Sequence, residues 1–244
     1  MKKILFGLLA LSTVAFADNL YLKAGVDFNN KFDQFNEMGI NFTEKDADGT
    51  GFELGFEYTR EIAPNLEFGF GLSYQNHDTP ETSAIPYEDW DYGSDINDII
   101  YLSGNDKFKL SDFKSVPLYL TLKYNLPVNW AIKPYIKADF GYSFNSCGDA
   151  SVTWTDYEKL PDGTVSNTIY DQGSESFVAK VKDGIYYGIG LGVEYENFFG
   201  SLMYKVNTAE LSVDSEDSYD NPYILTKDMD YSRFTFEFGY KFNF

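Results

Sequence analysis

Residues 234–244 read Phe-Thr-Phe-Glu-Phe-Gly-Tyr-Lys-Phe-Asn-Phe. Phe234, Phe236, Phe238, Tyr240, Phe242 and Phe244 take every second place, and Thr235, Glu237, Gly239, Lys241 and Asn243 fill the places between. Side chains alternate across a strand with period two, so this stretch predicts a strand with one aromatic face and one polar, charged or bare face. A soluble core would hide the aromatic face behind a capped end. A chain that stops on Phe244 instead predicts a barrel strand that turns its aromatic face to lipid and Glu237 and Lys241 to the lumen.

Seven other stretches alternate in the same way: 20–28, 52–59, 66–74, 116–125, 132–144, 185–195 and 202–206. The fold class they predict is all-β, an eight-stranded antiparallel up-and-down transmembrane barrel. Short turns are expected around Ala63-Pro64-Asn65, Pro127-Val128-Asn129 and Asn197, and long loops at about 29–49, 77–112, 145–183 and 209–230. Outer-membrane barrels have short periplasmic turns and long extracellular loops, so both termini are expected in the periplasm. An even strand number closes the ring and leaves no edge in lipid. Pro117 and Pro134 fall inside strands four and five, where a missing N–H is tolerated at a rim or bulge, and both are expected there.

The N-terminus explains how such a chain reaches a membrane. Lys2 and Lys3, the apolar run from Ile4 to Phe16, and Ala15-Phe16-Ala17 before Asp18 are read as a secretory signal peptide, residues 1–17, which leaves 18–244 as one barrel domain. The run has 13 residues, too short for a helix that needs about 20 to span a bilayer. A lipid anchor would need cysteine at the cleavage point. The sole cysteine is Cys147, so no intrachain disulfide forms.

Val116 to Tyr124, V-P-L-Y-L-T-L-K-Y, and Lys133 to Tyr142, K-P-Y-I-K-A-D-F-G-Y, resemble the small outer-membrane β-barrel family of Gram-negative bacteria that includes the OmpA/OmpX-type domains. As a strand pattern the resemblance covers nearly all of 18–244; it is motif-like only in those runs and the last strand. Phe234, Phe236, Phe238, Tyr240, Phe242 and Phe244 also resemble the C-terminal assembly signal of bacterial outer-membrane proteins, which implies the barrel-assembly machinery as a partner during biogenesis. Family members range over adhesins, serum-resistance factors and membrane-stabilising barrels, so the resemblance implies fold and location rather than one activity.

Alternation places seven acids in the lumen, Asp27, Glu53, Glu57, Glu67, Asp139, Glu194 and Glu237, and seven bases, Lys23, Lys123, Lys133, Lys137, Lys205, Arg233 and Lys241. An eight-stranded barrel is just wide enough for side chains to fill, and buried charges are tolerated when paired. A neutral plug is expected. The inward glycines at 55, 69, 71, 188, 190 and 192 either leave a narrow channel or admit the rings of Tyr119, Tyr135 and Tyr186.

With the lumen balanced, the net charge of −19 must lie in the loops, which hold 28 acidic against 8 basic residues. Such a surface repels nucleic acid and attracts cations or basic proteins. Tyr87, Trp90, Tyr92 and Tyr101 in the second loop and Trp154 in the third are the aromatic anchors expected at a binding surface. In the third loop, alternation at 152–155, the turn Pro161-Asp162-Gly163 and the β-favouring run 165–170 predict a hairpin above the membrane. Asp46, Asp48, Gly51 and Glu57 echo EF-hand spacing, but Leu54 stands at a ligand position and Glu57 belongs to a strand. Looser calcium binding by Asp214, Glu216, Asp217 and Asp220 is the remaining metal reading, and no cofactor is expected.

Catalysis is not expected. His77 is the sole histidine, and Ser73, four residues earlier on one strand, lies ~13 Å away at strand rise. The expected protein is thus a monomeric barrel in outer-membrane lipid, anchoring acidic loops for surface interaction, adhesion or membrane integrity. Its partner would be an extracellular basic protein or a cation-bridged ligand, and the alternative is a narrow porin-like channel for small solutes. Phe236→Lys is expected to cost ~2–4 kcal/mol in lipid vesicles, and Thr235→Lys, on the lumen face, much less.

Overall fold

The computed structural model describes residues 19–32, 35–37, 40–42, 46–47, 50–77, 85–92, 99–216 and 222–244. The expected signal peptide lies outside the described residues, as do Asp48, Asp217 and Asp220. Eight long strands form the body: β1 (Asn19–Phe32), β2 (Phe52–Ala63), β3 (Leu66–His77), β4 (Phe113–Asn125), β5 (Ile132–Cys147), β6 (Gly184–Tyr195), β7 (Phe198–Asn207) and β8 (Tyr231–Asn243). Each pairs antiparallel with its neighbour in the chain, and β8 returns to β1, so the ring is closed. The closing register sets Leu20 opposite Phe242, Val26 opposite Phe236 and Phe28 opposite Phe234.

Alternation decides which way each residue points. Leu120, Leu122, Ile136, Phe140, Ile189, Leu191, Leu202 and Phe236 are exposed on the outside of the ring. Between them, Thr121, Lys123, Lys137, Asp139, Lys205 and Glu237 are buried inside. Further aromatic rings flank this apolar band at both ends, with Tyr124, Tyr195 and Phe198 toward the short turns and Phe52, Tyr74, Tyr142 and Phe144 toward the long connections. An apolar band between aromatic girdles is the exterior that a lipid bilayer requires of a barrel. Among the described residues no helix is long and apolar enough to cross a membrane.

The three short turns fall where expected. Asn65 (φ 65°) and Glu196 (φ 53°) take left-handed conformations that let the chain reverse in two residues, and asparagine tolerates this better than most. Pro134 sits at the turn end of β5, paired with Val193 on β6 but not with β4, in agreement with a rim position. Pro117 departs from expectation. It lies four residues inside β4, buried, at neither rim nor bulge. Its missing N–H is absorbed by a gap: pairing of β4 with β3 skips from Leu118 opposite Leu72 to Ser115 opposite Gln75 without changing register.

The long connections are not plain loops. The strands Ile85–Tyr92, Ile99–Leu110, Ala150–Lys159 and Val165–Phe177 form one sheet beyond the end of the ring, and Ala179–Lys182, Glu210–Glu216 and Pro222–Asp228 form another. The hairpin expected in the third connection forms one side of the first sheet, with Val165–Phe177 at its edge. Its turn is built as its residues dictate: Gly163 has φ 84°, and Asp162 accepts hydrogen bonds from the Thr164 amide (2.9 Å) and hydroxyl (2.6 Å). Leu110, Phe113, Ala150, Ala179, Ala209, Leu211, Val213, Met229 and Tyr231 bury together between these sheets and the mouth of the barrel, with Cys147 partly buried against them. This apolar core was not foreseen.

The lumen face does not make Thr235→Lys a mild change. Thr235 is wholly buried, donates to Asp27 Oδ1 at 2.7 Å and packs its methyl group against Gly25, so lysine there would displace a filled interior. Depth along the exterior is the cleaner variable. Phe236→Lys is expected to cost ~2–4 kcal/mol in vesicle folding titrations, whereas Phe198→Lys, at the turn end, costs ~0–1 kcal/mol. Equal costs would contradict the exterior band.

Candidate functional site

The lumen holds three tiers of charge. At the turn end, Lys123 lies 3.1 Å from Glu67 and also contacts Glu194, and Lys241 lies 3.4 Å from Glu194 and 3.8 Å from Glu67. Tyr21, Thr59 and Asn125 add hydroxyl and amide contacts to Glu67 of 2.9, 2.7 and 2.7 Å. In the middle tier Lys23 faces Glu53 (3.0 Å), Glu57 (2.8 Å) and Glu237 (2.8 Å), and Lys205 faces Glu53 (2.7 Å) and Glu237 (2.6 Å). Lys137 contacts Glu57 and lies 3.4 Å from Asp139. At the loop end Arg233 Nε lies 3.0 Å from Asp27 Oδ2.

Thirteen of the fourteen charged residues assigned to the lumen meet in these tiers; Lys133 does not. It has the inward parity but stands at the turn end of β5, exposed, beside an open hollow of about 520 Å³ that Glu61, Asn65 and Asn129 also line. Alternation gives the direction of a side chain and not its depth. The balance of seven acids with seven bases therefore becomes seven with six.

The inward glycines admit rings. A Cβ on Gly71 would come within 2.4 Å of the Tyr119 ring, and one on Gly192 within 2.2 Å of the Tyr135 ring. Tyr119 stacks obliquely on Tyr186 at 5.1 Å and donates to Glu57 at 2.8 Å.

The loop-end tier contains a grouping that sequence spacing did not bring forward. His77 Nε2 is 3.0 Å from Ser115 Oγ on β4, and His77 Nδ1 is 3.8 Å from Asp27 Oδ2. These are the residue types of an acyl-transfer triad. Its geometry is structural: all three are buried under Phe113 and Tyr231, the Nδ1 distance exceeds a hydrogen bond, and Asp27 is engaged by Arg233 and Thr235. Ser115 Oγ lies closer still to Asn145 Oδ1, to which it donates at 2.8 Å. Parity could have found Ser115, because it continues the inward series of Tyr119 and Thr121.

Beyond the ring, the first sheet separates the five aromatic candidates. Trp90 and Tyr92 share a face, their rings 5.3 Å apart and T-shaped, and Tyr101 pairs directly with Trp90. These three are exposed, as are Ile99 opposite Tyr92 and Val165 two strands further. Tyr87 and Trp154 point to the other face. Tyr87 donates to Asp156, and burial, reinforced by that carboxylate, pushes its hydroxyl above the usual tyrosine range. Burial and Asp156 likewise raise the carboxyl of Asp106. Trp154 covers Gly173 and donates to Asp171 at 3.1 Å. Tyr87 and Trp154 thus hold the sheet together, and Trp90, Tyr92 and Tyr101 are presented outward. Glu57, which shares EF-hand spacing with Asp46, Asp48 and Gly51, is a strand residue committed to Lys23 and Lys137, and among the described residues no cluster of three histidine, cysteine or acidic side chains could hold a metal.

A closed eight-stranded ring, an apolar exterior between aromatic girdles and a lumen filled by ion pairs define the class: a small outer-membrane β-barrel. No family model matches the chain. The "Uncharacterized protein PM1543" of Pasteurella multocida (strain Pm70) is 28% identical over 228 residues, 88% of this chain and 89% of that protein. Among solved structures, the outer membrane protein OprG from Pseudomonas aeruginosa is 16% identical, with 93% of this chain and 97% of that one covered and a TM-score of 0.45. Ail, the attachment invasion locus protein of Yersinia pestis, is 13% identical, with 93% and 99% covered and a TM-score of 0.37. Likenesses this distant say nothing of activity, and the class rests on ring closure and the two faces of the wall.

The tiers make a contrast at one charge type. Lys23→Ala takes one ammonium from three buried carboxylates and leaves the middle tier short of a second charge, and is expected to cost ~3–5 kcal/mol, whereas Lys133→Ala should stay within ~0.5 kcal/mol of the parent. Urea unfolding of the refolded barrel checks both.

Proposed function

We propose that this protein is an outer-membrane anchor for an interaction surface, with both termini in the periplasm and the two loop sheets outside the cell. The observation that carries the reading is the outward face of the first sheet, where Trp90, Tyr92, Ile99 and Tyr101 are exposed on a framework braced by Tyr87 and Trp154. Rigid exposed aromatics supply affinity at binding surfaces, and the loops' acidic surplus steers basic partners. A basic protein or a cation-bridged ligand fits that chemistry, with the barrel acting as a monomeric support. Residues 1–17 export the chain, and the aromatic C-terminal strand is read by the barrel-assembly machinery.

The filled lumen favours an anchor over a narrow channel, and the burial of His77, Ser115 and Asp27 favours a binding role over an enzymatic one. Planar-bilayer recording of the refolded barrel separates the first pair: little current is expected, and steady large conductance would put the channel first.

For binding, replacing Trp90, Tyr92 and Tyr101 together by alanine should abolish attachment of expressing cells to a partner surface while heat-modifiable migration shows the barrel still folded. Replacing Glu88, Asp89 and Asp91 by the amides should slow attachment and flatten its salt dependence. Undiminished attachment by the aromatic variant across host and bacterial surfaces would reduce the loops to a solvated coat.

A further inference from the structure

The tiers at the two ends of the lumen are balanced: Glu67 and Glu194 meet Lys123 and Lys241, and Asp27 meets Arg233. The middle tier is not. Glu53, Glu57, Glu237 and Asp139 share Lys23, Lys137 and Lys205, and all seven are buried. With His77 neutral, one negative charge is left without a counter-charge. A buried uncompensated charge costs several kcal/mol, so the excess needs an answer.

It falls on Asp139. Glu53 and Glu237 each have two ammonium groups within 3.0 Å, whereas Asp139 has only Lys137, at 3.4 Å, among the described residues. Among the described residues neither Asp139 oxygen has a hydrogen-bond partner. Directly opposite on β4 stands Thr121, whose buried Oγ1 also has none. Opposite on β6 stands Gly188, and two places along is Tyr186, whose buried hydroxyl is again without a partner. Gly188 differs from the other inward glycines: a Cβ there would meet nothing nearer than 3.3 Å, against 2.8 Å or less at Gly55, Gly69, Gly71, Gly190 and Gly192. Three buried oxygens in want of partners thus stand on the adjacent strands β4, β5 and β6, around a wall position that carries no side chain.

We propose that Asp139, Thr121 and Tyr186 bind a monovalent cation above Gly188. Carboxylate and hydroxyl oxygens are hard donors suited to alkali and alkaline-earth ions rather than to transition metals. A single positive charge brings the middle tier to neutrality, and a dication would reverse its sign. Facing side chains on adjacent strands lie roughly 5 Å apart at Cβ, a span that an ion shared between them closes.

The test is thermal unfolding of the refolded protein in detergent, in sodium, potassium or choline chloride at equal ionic strength. An alkali cation should raise the midpoint over choline in a saturable way, by about 5 °C at a hundredfold excess over Kd. Asp139→Asn should lose that difference while keeping or raising the midpoint in choline, because it removes the surplus charge. Thr121→Val and Gly188→Ala should weaken the alkali response, which gives two further readings if Asp139→Asn fails to fold. Identical midpoints in all three salts, or an Asp139→Asn variant that still responds to sodium, overturns the proposal. So does stabilisation by lower pH alone without alkali preference, which assigns the neutralising charge to a proton.

Discussion

Glu237 of β8 stands among three ammonium groups, Lys23 of β1, Lys205 of β7 and, at 3.7 Å, Lys137 of β5. The first of these crosses the seam where the last strand meets the first. A ring must close at its ends in sequence, and that closure brings together segments more than two hundred residues apart. The loop-closure cost of such a contact rises only slowly with length, so one charge cluster shared by four strands helps to offset it. The same carboxylate accepts from Ser201, so β7 is tied in twice. Outward alternation gives the wall its solvent; inward alternation gives it this network, and neither face exists without the other.

The eight strands and their order were legible because each strand repeats one two-residue rule, and period-two patterning depends on local sequence alone. What that rule omits is depth. Lys133 and Lys137 have the same parity, yet the first ends at the rim and the second in the middle tier. Pro117 shows the same limit: its position in the strand was readable, but the pairing gap that accommodates it is a property of two strands together.

The loops hid more. Tyr87 and Trp90 are three apart, an odd number, so a strand there must place them on opposite faces, and the parity rule would have separated them had Ile85–Tyr92 been read as a strand. The apolar core at the mouth left no such trace. Leu110, Ala150, Leu211 and Met229 are scattered singly among polar residues, and only folding assembles them. The meeting of His77 with Ser115 and Asp27 likewise joins three strands and depends on register.

That apolar core carries a consequence for how the surface can change over generations. Leu110 and Ala150 come from the second and third connections, Ala179 from the third, and Leu211, Val213 and Met229 from the fourth. The three connections are therefore a single inheritable unit. Recombination that swaps one of them between related barrels replaces part of a shared interior and leaves the others facing a mismatched partner, whereas point changes at Trp90, Tyr92 or Tyr101 leave that interior alone. Diversity in such a protein should accumulate as drift across the outer face of one sheet, not as exchange of whole loops.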